Sequence, residues 1–126
     1  MDTIASEDFQ FFETLLDAAE DAHPGSKAFY NKIIEAGILH AQKQRDYGRS
    51  DDPFSNVRAS EDFGVPGWVG CMIRANDKIR RLQTYAKTGT LANEGVKDSF
   101  LDLAVYSLIG LVLFEEETKR QESLSR

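Results

Sequence analysis

Twelve consecutive residues without a charge, LAVYSLIGLVLF at 103–114, constrain the fold of this chain more than any other feature. Wound as a helix, the run is apolar on nearly every side, and such a helix has to be surrounded by other elements. It is shorter than the roughly 20 residues of a membrane span. Asp102 precedes it, and Glu115, Glu116 and Glu117 follow it. The reading is a buried helix at the centre of a bundle. Since no stretch of the chain alternates with period two, its companions should be helices rather than strands.

Three further segments carry helical signals. The first runs from about Ser6, a suitable N-cap, to Ala22, with Phe9, Phe12, Leu15, Leu16 and Ala19 on one face. HPGS then breaks the chain, and Ser26 can cap a second helix from about Lys27 to Tyr47. Its apolar stripe is Phe29, Ile33, Gly37 and Ala41, with Ile34 and Ile38 beside it, and Gly48 is placed as its stop. Pro66-Gly67 opens a third helix to about Lys87, with Trp68, Met72, Ala75, Ile79 and Leu82 expected to face inward. TGTLAN is a turn, Asn93 the expected N-cap of the fourth helix, and Gln121 its approximate end. The expected fold is therefore all-α: a four-helix-bundle-like single domain over 1–126. Residues 1–25 are an N-terminal helix and turn, 26–121 a three-helix antiparallel core carrying the motifs, and 122–126 a frayed tail.

Composition narrows the function classes. A chain of 126 residues can build a core without disulfide or metal staples. A net charge of −6 and a pI near 4.9 argue against broad binding to duplex nucleic acid or to anionic membranes, which needs a basic surface. A small anion needs only a local cationic pocket. The single Cys71 excludes an internal disulfide, and the acidic start MDTIASEDF lacks the apolar core of a secretory leader, so a cytoplasmic location is expected. Four apolar helices exceed what one small bundle readily buries, so a homodimer or homotetramer is expected.

Two helices carry the chemistry. In RANDKIRRL, Arg74, Lys78 and Arg81 are spaced i, i+4, i+7 along one side, with Asp77 beside them. The row is either a solvated face laced with ion pairs or a phosphate clamp, for which guanidinium forks are suited. On the fourth helix Asp98 and Asp102 lie one turn apart, Asp102 between Leu101 and Leu103. A carboxylate there must be paired or bound to a cation. The pair could seat Mg²⁺; alternatively Asp98 serves the helix N-terminus and Asp102 pairs with a third-helix arginine. RDYGRSDDPFSNV supplies the remaining parts. The loop 48–66, about nineteen residues, is long enough to be functional, and folded over the bundle end it would bring Asp46, Tyr47, Phe54 and Asn56 to the charged face. Cations for phosphate, carboxylates for a metal, an amide and an aromatic for a base together describe a nucleotide pocket. His23, His40 and Cys71 read as structural, Trp68 as a plug of the bundle end or a stacking platform, and Gly37 and Gly110 as points of close helix approach.

The motifs RDYG, DPFSN, VPGWVGCMIRANDKIRRL and NEGVKDSFLDLAVYSL, in this order, resemble the small phage and bacterial proteins of the nucleotide-modification-associated domain family. The resemblance covers about residues 40–108 and falls on Asp46, Tyr47, Gly48, Asn56, Arg74, Asp77, Lys78, Arg81, Asp98, Asp102, Leu103, Ala104 and Tyr106. It implies a phage-type protein of nucleotide metabolism or DNA base modification. More loosely, a helical bundle with inward carboxylates is similar to the MazG-like all-α nucleoside triphosphate pyrophosphatases, which place two acidic motifs around Mg²⁺. Here the second helix offers Glu35 and Asp46, which lie about 16 Å apart along a helix at 1.5 Å per residue and cannot ligate one ion. Any metal would draw on Asp46 or Asp77 as well.

Three functions follow as expectations. The first is a Mg²⁺-dependent hydrolase splitting a nucleoside triphosphate between its α and β phosphates. Asp98, Asp102 and Asp77 would be its catalytic carboxylates, and Arg74, Lys78 and Arg81 would neutralise phosphate charge. The second is a non-catalytic nucleotide binder, such as one that sequesters a nucleotide signal of host anti-phage immunity. The third is a helical interaction module without a small-molecule site.

Overall fold

The computed structural model describes residues 6–47, 54–91 and 95–125, which form four α-helices, one 3-10 helix and no strand. The fold is all-α. The helices are α1 (Ser6–Glu20), α2 (Pro24–Tyr47), the 3-10 helix Arg58–Phe63, α3 (Gly67–Thr88) and α4 (Val96–Leu124). Among the described residues no helix is long and apolar enough to cross a membrane. The chain divides into two compact units, with the boundary between Glu35 and Ala36 inside α2.

In the first unit α1 is described from Ser6 to Glu20. Between the helices the His23 ring Nδ1 accepts a hydrogen bond from the Gly25 amide at 3.1 Å, and the Ser26 amide donates to the His23 carbonyl at 2.7 Å. With this turn already closed, α2 begins at Pro24, whose fixed φ and missing N–H suit a first helical position. The expected start at Lys27 is thus three residues late. Phe29, Ile33 and Ile34 are exposed, so the stripe expected to face inward is not buried.

The second unit is organised by α3 and α4, which pack along their length. The inward face of α3 runs through Gly67, Cys71, Ala75, Lys78 and Leu82, rotated from the expected Trp68, Met72, Ala75, Ile79 and Leu82. Met72 and Ile79 are exposed. The reason is steric: helix axes come close where side chains are small, so the contact face carries the small residues. A Cβ on Gly110 of α4 would stand 3.0 Å from Met72 Cε and 3.4 Å from Cys71 Cβ, which bears out the close approach expected there. Gly37 has nothing within 4 Å of its would-be Cβ, so the other half of that expectation is not met. Cys71 is fully buried, and with Val57 and Leu113 it forms a core on which Phe54, Trp68, Tyr106 and Ile109 pack. Trp68 meets Phe114 edge-on at 5.6 Å, which is the plug rather than the platform.

The described part of the connection between α2 and α3 is residues 54–66. The carbonyl of Phe54 accepts from the Val57 and Arg58 amides at 3.0 and 3.1 Å, and this turn runs into the 3-10 helix. Gly64, in the left-handed region at φ 76°, ends it. The 3-10 helix lies against α3 at Gly70, where a Cβ would stand 2.6 Å from Ser60 Oγ and 3.1 Å from the Val57 carbonyl oxygen. α4 begins at Val96 behind Gly95, later than the expected cap Asn93, which lies outside the described residues.

Candidate functional site: a carboxylate between two lysines

The inward face of α4 passes through Ser99, Asp102, Val105, Tyr106, Ile109, Gly110 and Leu113. Asp102 is only 5% exposed, so its charge needs compensation. Two cations from different helices supply it. Lys43 Nζ of α2 lies 2.7 Å from Oδ1, and Lys78 Nζ of α3 lies 3.0 Å from Oδ2. Burial pushes the Asp102 carboxyl up, but hydrogen bonds and charge from Lys43 and Lys78 outweigh it and hold the group below its usual value. The cluster sets an ammonium group on each of the two carboxylate oxygens. Its outer member, Lys43, has 39% of its side chain in solvent, and Lys78 has 17%.

Beside this cluster is a small cavity of about 30 Å³, lined by His40, Lys43, Gln44, Asn56, Val57, Asp102, Val105, Tyr106 and Ile109. Its volume admits one water-sized group. The polar lining can donate from an ammonium group, from two side-chain amides and from a phenol hydroxyl. His40 stacks on Phe54 at 5.8 Å with the planes 29° apart, so the loop aromatic is held against α2 next to the cavity. His40 therefore packs as expected of a structural residue and also lines the site.

The expected residues fall into groups. Asp102, Lys78, Asn56 and Phe54 come together here, with Tyr106. Arg74 is exposed and Arg81 half-buried, while Lys78 between them turns inward to Asp102, so the three do not act as one outward row. Asp77 and Asp98 are exposed. Asp46 and Tyr47 occupy the last turn of α2, with side chains outside the described residues. Asp102 is paired with a cation of the third helix, but the cation is a lysine rather than an arginine. Lys43 was not singled out from sequence. It lies 59 residues from Asp102, and its only local sign is a position one turn before the chain leaves α2.

The donor arrangement does not fit a preformed divalent-ion seat on Asp98 and Asp102. Both Asp102 oxygens already accept from ammonium groups, and a divalent cation placed there would lie within a few ångströms of two positive charges, which costs more than the carboxylate returns. Among the described residues no group of three or more His, Cys, Asp or Glu is arranged to hold a metal. Cys71 is fully buried beside this site. Burial pushes its thiol up, against a smaller lowering by the Arg58 and Arg74 charges. No family model, curated protein or solved structure matches the chain.

Proposed function

We propose that this chain binds a phosphate-bearing small molecule of the nucleotide class at the Lys43–Asp102–Lys78 cluster. One observation carries the reading: a buried carboxylate gathers two ammonium groups, at 2.7 and 3.0 Å, beside a polar cavity in an acidic chain. Asp102 positions the two lysines through one oxygen each. An anionic oxygen in the cavity would accept from a lysine ammonium, with the side-chain amides of Asn56 and Gln44 and the Tyr106 hydroxyl within the same lining. The cavity holds only one such group, so the rest of the ligand would extend past the exposed Asn56 and Lys43, where the Phe54–His40 stack offers an aromatic surface.

Hydrolysis between α and β phosphates is the second reading, and the exposed Asp98, one turn from Asp102, favours it as the carboxylate left available to a metal arriving with its nucleotide. The test is a thermal-shift and calorimetric screen of nucleoside mono-, di- and triphosphates and inorganic phosphate, with and without Mg²⁺. A binder of the native state raises the melting temperature in proportion to RT ln(1 + [L]/Kd). Binding is expected without Mg²⁺, weakened about tenfold or more in Lys78→Ala and in Lys43→Ala, and unchanged in Arg74→Ala. If no nucleotide or phosphate shifts the wild type, the cluster is a structural ion network and the proposal fails. Pyrophosphate release that requires Mg²⁺ and is lost in Asp98→Asn would replace the binder with the hydrolase.

A further inference from the structure

Within the second unit α4 is covered on one side only. Opposite the face that α4 turns to α3, Phe100, Leu108 and Leu111 are 58%, 60% and 53% exposed, and Ala104 and Val112 are exposed beside them. At 100° per residue these five side chains form one stripe, and Lys97 and Glu115 lie on the same line at its two ends. From Lys97 to Glu115 the line is about 27 Å long at 1.5 Å per residue. A face of this kind, uncharged between its ends, is not a solvated surface.

We propose that this stripe is the contact between two copies of the chain, with the two α4 helices antiparallel about a two-fold axis level with Tyr106. The choice of a second copy rests on self-complementarity. In that register Ala104 faces Leu108 of the other copy and Phe100 faces Val112, so that a smaller side chain opposes a larger one at both levels. Lys97 faces Glu115, and because the contact is isologous each pairing occurs twice. A parallel pairing would set Lys97 against Lys97, Glu115 against Glu115 and Leu108 against Leu108. The area is also of the right size. With a fully exposed aromatic worth roughly 150–250 Å² and aliphatics somewhat less, the stripe offers on the order of 400–500 Å² of apolar surface per copy. A standard interface buries about 800 Å² per partner, of which roughly 56–65% is apolar. The proposal is independent of what the Asp102 site binds, since Asp102 lies on the opposite face of α4.

Sedimentation velocity or light scattering from about 1 to 100 µM tests it, with circular dichroism as the folding control. The wild type is expected to dimerise in this range. Leu108→Glu, at an exposed position, should keep its helicity and weaken association at least 100-fold. Lys97→Glu and Glu115→Lys each turn two attractions into repulsions and should weaken it about tenfold. The double charge exchange should return to within a few-fold of wild type. A wild type that stays monomeric at 100 µM overturns the proposal. So does a dimer indifferent to Leu108→Glu. A double exchange no better than either single change overturns the antiparallel register.

Discussion

Replacing Asp102 by asparagine keeps the shape of the side chain and removes one charge, and the geometry sets the cost. Asparagine has no negative charge and a single accepting oxygen, so the pairs at 2.7 Å to Lys43 and 3.0 Å to Lys78 both lose their counter-charge and at most one keeps its hydrogen bond, each being of a kind that contributes about 1.5–3 kcal/mol. They are not equal. Lys43 is more than a third exposed and can turn its ammonium group into water, so its share falls to about 1 kcal/mol or less. Lys78, 17% exposed on the α3–α4 face, cannot re-solvate as freely and stays largely buried without the Asp102 charge. The total comes to about 3 kcal/mol, or roughly 10 °C in melting temperature for a chain of this length. Urea unfolding measures it, with an unchanged m-value as the check that the variant remains two-state. Adding Lys78→Met should recover at least about 1 kcal/mol relative to Asp102→Asn alone, because it removes the ammonium group that Asp102 had balanced and keeps the stem. An Asp102→Asn variant as stable as wild type, or more so, would refute this reasoning and point instead to two carboxylates relieved of mutual repulsion.

Three other predictions rest on single features of the second unit. Because the folded Asp102 carboxyl lies below its unfolded value of about 3.9, the unfolded chain binds the proton more readily, and the stability due to this group is complete above that value and lost as the pH falls through the folded pKa. Acid titration of Asp102→Asn should therefore lack that component, and a parallel loss in both proteins would show that the group is not perturbed. Gly70→Ala should cost about 1–3 kcal/mol in chemical denaturation, since its Cβ would stand 2.6 Å from Ser60 Oγ and 3.1 Å from a backbone oxygen; a neutral result would mean that the 3-10 helix does not press on α3. Gly37→Ala should stabilise by about 0.5–1 kcal/mol, because it sits inside α2 with nothing within 4 Å of the new methyl; destabilisation would reveal a contact at that position.

Much of the local structure was legible in the sequence because it depends on near neighbours. The all-α class, the opening of α3 at Pro66-Gly67, the buried Cys71 and the inward turn of Asp102 all follow from periodicity and turn chemistry within a few residues. Tertiary structure decided which face of each helix was covered and by what. On α3, hydrophobicity pointed to Met72 and Ile79, whereas close approach selected Gly67, Cys71 and Ala75, because axis separation depends on side-chain size and not on apolarity. That rotation carried Lys78 inward and took it out of the expected row with Arg74 and Arg81. Lys43 had no local signature, since its role exists only where α2 brings it to a carboxylate 59 residues away. The sequence determined that Asp102 needed a cation; only the packing of three helices decided that the cations would be these two lysines.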